Sequence, residues 1–150
     1  MKPIISLMLA AALMAAAPAW SQVTVAQPWV RATVAQQKAT GAFMTLTSAK
    51  DVRLVGASSP AAGTVEVHEM KMVDDVMRMR QVPALELPAG KPVALTPGGY
   101  HLMLFQLKQP LKDGDKVPLV LEVEDAAKVR STIKVDAIVK PLNAAAHAGH

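Results

Sequence analysis

Cysteine is absent from the 150-residue sequence. That single absence excludes disulfide frameworks, thiolate zinc sites, iron–sulfur clusters, thiol nucleophiles and the thiolate-dependent blue-copper centre. Aromatic residues make up only 3% of the chain, too few for the stacking platforms on which single-stranded nucleic acids bind. Charge of one sign is scarce too: sixteen Lys and Arg stand against twelve Asp and Glu, a formal net charge of +4. The basic residues are scattered, with Lys71, Arg78 and Arg80 close to Glu69, Asp74 and Asp75. No basic stripe results, and nucleic-acid binding is set aside. Long apolar runs are missing beyond the N-terminus. Residues 4–17 are mostly apolar but too short to cross a hydrocarbon layer of roughly 30 Å as a helix. Lys2 before that run, and Pro18 with Ala19-Trp20-Ser21 after it, give the pattern of a secretory signal peptide over residues 1–21. Cleavage is expected between Ser21 and Gln22, which implies export to a bacterial periplasm with no stable membrane insertion.

What is present suits one folded domain. Hydrophobic residues account for 51% of the chain and charged residues for 19%, a balance that can close one modest core. Short alternating runs separated by turn residues predict an all-β architecture. In residues 129–137, Val129, Ser131, Ile133, Val135 and Ala137 fall on one face. Val117, Leu119, Leu121 and Val123 also alternate, with Pro118 expected at an edge or strand start. Residues 34–44 are the only stretch where a short helical turn is expected. About seven to nine strands between residues 22 and 142 predict a β-sandwich or Greek-key barrel. Residues 143–150 are small and polar, and read as a flexible His-containing tail.

The methionines are unusually placed. Past residue 21 there are six, and Met70, Met72, Met77, Met79 and Met103 lie close together in sequence, with His68 and His101 beside them. Methionine ordinarily fills irregular gaps in a core. Here two alternating runs flank Asp74-Asp75, and a two-residue hairpin turn at that dipeptide would pair Val73 with Val76, Met72 with Met77, Met70 with Met79 and His68 with Gln81. One face of the hairpin would then carry thioethers with an imidazole at its edge. The other would oppose Glu69 to Arg80 and, less favourably, Lys71 to Arg78. Met79 becomes the diagonal neighbour of His68, about 7–8 Å away at Cα. Downstream, residues 100–107 read as a buried central strand, with His101 and Met103 on one side of it.

These four residues make a neutral, sulfur-rich donor set. Thioethers bind Zn²⁺, Mg²⁺ and Ca²⁺ poorly, whereas Cu(I) favours soft sulfur with imidazole. A set without negative charge suits a monovalent ion. Four filled positions leave no open site for substrate, unlike a catalytic metal centre. Reversible Cu(I) binding by His68, Met79, His101 and Met103, without turnover, is the chemistry these residues imply.

The spacing His68-x10-Met79-x21-His101-x-Met103 resembles the motif of the periplasmic Cu(I) chaperones called the PCuAC family. The surrounding words resemble it as well: Val65-Glu66-Val67-His68-Glu69-Met70, Met77-Arg78-Met79-Arg80 and Gly98-Gly99-Tyr100-His101-Leu102-Met103-Leu104, with Pro28-Trp29-Val30-Arg31 upstream. The resemblance covers residues 23–140. It implies a cupredoxin-like Greek-key β-sandwich, a Cu(I) site formed by the four residues at one end of it, and delivery of copper to the CuA or CuB centres of cytochrome c oxidase, in concert with Sco-type thiol proteins. A monomer is expected. Met70, Met72 and Met77 lie outside the motif and read as a soft rim. Some family members carry longer tails that take up Cu(II), and His147 and His150 look like a minimal version, so a second, weaker Cu(II) site is expected there. The main alternative is a periplasmic copper buffer that uses the same site without a dedicated acceptor. An enzyme is disfavoured, because no acid/base pair accompanies the donors. A metal-free scaffolding domain would leave the clustered methionines without a purpose.

Overall fold

A computed structural model describes residues 22–141; the signal-peptide and tail expectations lie outside the described residues. Period-two alternation becomes ten strands, with no helix among the described residues. They are β1 (Val23–Arg31), β2 (Thr40–Ser48), β3 (Val52–Ser58), β4 (Ala62–Val73), β5 (Val76–Gln81), β6 (Leu85–Leu87), β7 (Val93–Leu95), β8 (Tyr100–Leu107), β9 (Lys116–Asp125) and β10 (Arg130–Lys140). Neighbours run β5-β4-β8-β2-β1-β10-β9-β3-β6. A further β3–β4 pairing at Ala57 and Val65 closes β4, β8, β2, β1, β10, β9 and β3 into a ring. β1 and β10 meet in parallel; every other pairing is antiparallel. The expected all-β, single-domain sandwich is what the chain adopts.

The interior is aliphatic. Leu46, Leu54, Leu102, Leu104, Leu119 and Leu121 are fully buried, with Val30, Val117 and Val139 beside them. Each such side chain stabilises the fold by about 1.5–3 kcal/mol relative to leaving it in water. β10 alternates largely as its sequence predicts, with Val135, Ala137 and Val139 inward and Lys134 and Asp136 outward. Val129 departs from that expectation and is exposed. It belongs to the turn before β10, where its N–H donates to Asp125 Oδ1 and Lys128 takes a φ of +62°. Pro118 sits past the end of the β3 pairing, where β9 has β10 alone as a partner. Residues 34–44 form no helix: a turn closed by Gln37 N–H to the Val34 carbonyl leads into β2, which turns Ala42, Met44 and Leu46 into the core. Ten strands are one more than the upper expectation; the shortest are the three-residue β6 and β7, which prolines flank and keep short.

The β4–β5 hairpin has the expected register throughout, from Val73 opposite Val76 to His68 opposite Gln81. Asp74 and Asp75 both take positive φ, +50° and +62°, the two left-handed positions of a type I′ turn, which aspartate tolerates better than most residues. Arg80 Nε donates to Glu69 Oε1 across the rungs. β5 is exposed along its whole length and, among the described residues, pairs with β4 only. It is an arm laid against the barrel.

Candidate metal centre

Antiparallel pairing of β4 and β8 puts His68 directly opposite His101, and Glu66 opposite Met103. Val65, Val67, Leu102 and Leu104 of these strands enter the core, so alternation sends Glu66, His68, Met70, His101 and Met103 to the outer face. Both imidazoles are nevertheless buried, at 7% and 4% exposure. Side chains on the same face cover them. Phe105 lies 5.6 Å from the His68 ring, Phe43 lies 6.2 Å from the His101 ring, and Trp29 packs at a tilt of 42° against Phe43, 4.6 Å between centroids. The Arg31 guanidinium sits 5.5 Å above the Phe43 ring. Gly41, opposite Met103, makes room for this cover: a Cβ there would fall 2.7 Å from the tip of the Phe43 ring.

A pocket of about 250 Å³ opens on this face, and Met79, His101 and Met103 line it together with Met70, Arg31 and Phe43. Three of the four expected donors thus share one cavity. His68 is outside the pocket wall; its ring centre is 6.1 Å from that of His101. Met79 is 46% exposed and brings its sulfur in from the arm.

The hydrogen bonds determine which ring nitrogens hold lone pairs. His101 Nδ1 lies 3.1 Å from the Gly99 carbonyl oxygen, which can only accept, so Nδ1 carries the proton of the neutral ring. Burial pushes the His101 pKa below its ordinary value, the Gly99 hydrogen bond opposes that, and electrostatic repulsion from the neighbouring His68 and Arg31 side chains reinforces it. The ring is therefore neutral at pH 7, and Nε2 presents a lone pair. Its neighbour at 3.3 Å is Met79 Sδ, a thioether with no hydrogen to donate. His68 is oriented by Glu66, whose Oε2 stands 2.7 Å from Nε2. A carboxylate accepts there, so Nε2 is the protonated nitrogen that faces Glu66. His68 Nδ1 is buried and has no hydrogen-bond partner. No group of three His, Asp or Glu side chains converges to hold a metal among the described residues.

A family model described as “Putative lipoprotein LpqE-like” matches residues 23–135. The chain belongs to this family, the LpqE-like proteins of PCuAC type. This PCuAC-type chain is 32% identical over 106 residues to “Putative lipoprotein Lxx21020” of Leifsonia xyli subsp. xyli, covering 70% of itself and 64% of that relative. It therefore spans a little under two thirds of that curated relative's length. It is 33% identical to the solution structure of apo-DR1885 from Deinococcus radiodurans, with a TM-score of 0.60 and 94% of each chain covered. The Cu(I) form of DR1885 matches at 34% identity and a TM-score of 0.52, over 79% of this chain and 74% of that one. A copper-bound PCuAC domain from PmoF2 shares the fold at 22% identity and a TM-score of 0.64, over 81% of this chain and 94% of that domain.

Two contributors to the PCuAC-type face were not assigned from sequence. Glu66 was visible as a carboxylate on the correct face, two residues before His68, but its bond to the ring depends on both rotamers. Phe43 had no signal beyond its neighbour Gly41, since its contact with His101 crosses from β2 to β8.

Proposed function

We propose that this protein is a copper chaperone that binds one Cu(I) through His68, Met79, His101 and Met103 and releases it to an acceptor without catalysing a reaction. The observation that carries this reading is the 3.3 Å approach of His101 Nε2 to Met79 Sδ, on a ring whose Nδ1 donates to the Gly99 carbonyl. With metal–nitrogen and metal–sulfur bonds of roughly 2.0 and 2.3 Å, a tetrahedral ion holds such donors about 3.5 Å apart. The pair is spaced for a shared ion. Met103 lines the same pocket, and His68, whose ring centre is 6.1 Å from that of His101, is the fourth donor of the proposed set. The absence of a thiolate and the neutrality of the set favour Cu(I) over divalent cations. Copper-bound relatives of the same fold, DR1885 among them, are consistent with that cargo.

Residues 1–21 are a signal peptide in this reading, and residues 22–142 act in the periplasm. The acceptors are the CuA or CuB centres of cytochrome c oxidase, directly or through Sco-type thiol proteins, and His147 and His150 add a weaker Cu(II) site. Anaerobic titration of the purified chain with Cu(I), against a chromophoric Cu(I) chelator, tests the site. One equivalent should bind tightly, and Met79→Leu should weaken it by about tenfold to a hundredfold without unfolding a protein in which residue 79 is half-exposed. Unchanged affinity in Met79→Leu overturns the donor set. Failure of the Cu(I) form to load an apo CuA fragment or an apo Sco protein would make the chain a buffer. Cu(II) uptake that survives truncation after Asn143 rules out the tail site.

A further inference from the structure

We propose a second Cu(I) site made of thioethers alone at the tip of the β4–β5 arm, where Met72 and Met77 share one ion and pass it by way of Met70 and Met79 to the imidazole-containing site. This rests on the copper reading above and assigns that site its port. Met72 faces Met77, and Met70 faces Met79, on the same side of the hairpin. In a two-residue hairpin the closing pair, Val73 and Val76, exchanges hydrogen bonds, so the rungs at 72/77 and 70/79 fall at non-hydrogen-bonded positions. The Val82 N–H to Val67 carbonyl bond further down agrees with that phase. At such rungs the Cα atoms are only about 4.5 Å apart and facing side chains are at their closest. Two flexible thioethers there can reach one ion.

Core packing does not account for these side chains. Met72 is 58% exposed and Met77 46%, whereas Met44 in β2 is buried at 3% and does serve as filler. All six residues of β5 are exposed. Methionines at 72, 77 and 79, on the exposed outer end of this hairpin, are costly surface unless the sulfur is used. The rungs also lead somewhere: Met70 and Met79 both line the pocket that contains His101 and Met103. An ion held at 72/77 is at the next same-face rung to Met79, whose sulfur already touches His101. Movement inward then needs only stepwise exchange of one thioether for the next, with no change in oxidation state and no proton transfer.

The probe is Ag(I), a redox-inert soft monovalent ion, titrated into the purified full chain carrying methyl-¹³C methionine, with each methyl group followed by NMR. The Met79 and Met103 methyls should shift with the first equivalent. The Met72 and Met77 methyls should shift together with the second, at an affinity about tenfold or more weaker, since imidazole is missing from that set. Met44, sealed in the core, should not move. In Met72→Leu the Met77 shift should disappear while the first-equivalent shifts remain. Met72 and Met77 methyls that stay still under excess Ag(I), or a Met77 shift that persists in Met72→Leu, overturn the tip site. Movement at 72 and 77 with none at 79 and 103 would instead overturn the inner donor set and leave the tip site standing.

Discussion

His101 Nε2 and Met79 Sδ face each other with lone pairs, and each gains more from a shared cation than from the other. In the proposed site each histidine is oriented by an acceptor behind it, the Gly99 carbonyl for His101 and the Glu66 carboxylate for His68. Glu66→Gln should therefore lower Cu(I) affinity by roughly tenfold while one equivalent still binds, because an amide can present its N–H₂ to the ring and no longer enforces one tautomer. Competition against a Cu(I) chelator measures this, and an unchanged constant would show that Glu66 does not orient the ring. At this scale the residues proposed as donors could be named from the sequence. Imidazole and thioether have few uses at such spacing, and alternation places His101 and Met103 on one side of their strand. The acceptors were not legible, since the Gly99 carbonyl bond is a property of backbone path and Glu66 competes with every carboxylate on its face.

Among the strand elements, two kinds of information were unequally available. The β4–β5 register could be read because a two-residue turn leaves one pairing, and that pairing aligned His and Met on one face against Glu69 and Arg80 on the other. The parallel meeting of β1 with β10 and the Ala57–Val65 closure of the ring could not. They join segments far apart in sequence, and such contacts leave no local periodicity. The β3–β9–β10 seam carries a prediction of its own. Glu124 bridges Arg53 on β3 and Arg130 on β10. The Arg53 hydrogen bond, then that of Arg130, hold its carboxyl below the ordinary carboxylate value against the opposing effect of burial. A native pKa below the unfolded one means that the unfolded state takes up the proton first. The stabilisation is thus complete above the ordinary value of 4.5 and is lost as pH falls through the native value. Denaturant unfolding of the wild type and Glu124→Gln across pH 3 to 7 should show the difference between them shrinking toward the acid end. A constant difference would mean that the bridge does not titrate with folding.

For the molecule as a whole, the aliphatic core contains no residue of β5 and neither imidazole, so the barrel does not need its cargo in order to fold. Binding to a prebuilt native state raises stability by mass action, about 2.7 kcal/mol at a free ion concentration a hundredfold above Kd. For a domain of this size that is about 10 °C in Tm. Anaerobic melting should show such a rise on adding Cu(I) to the wild type. In Met79→Leu the rise should be reduced or absent, while the metal-free Tm stays within a degree or two of the parent. The division between wall and arm has a consequence for how this protein can change. Drift along β5 escapes the purge that folding imposes on a core, so ion preference and release rate can diversify between lineages while one barrel persists beneath them. A library randomised at positions 77 and 79 should accordingly share a single metal-free melting curve and differ only in which ions its members retain.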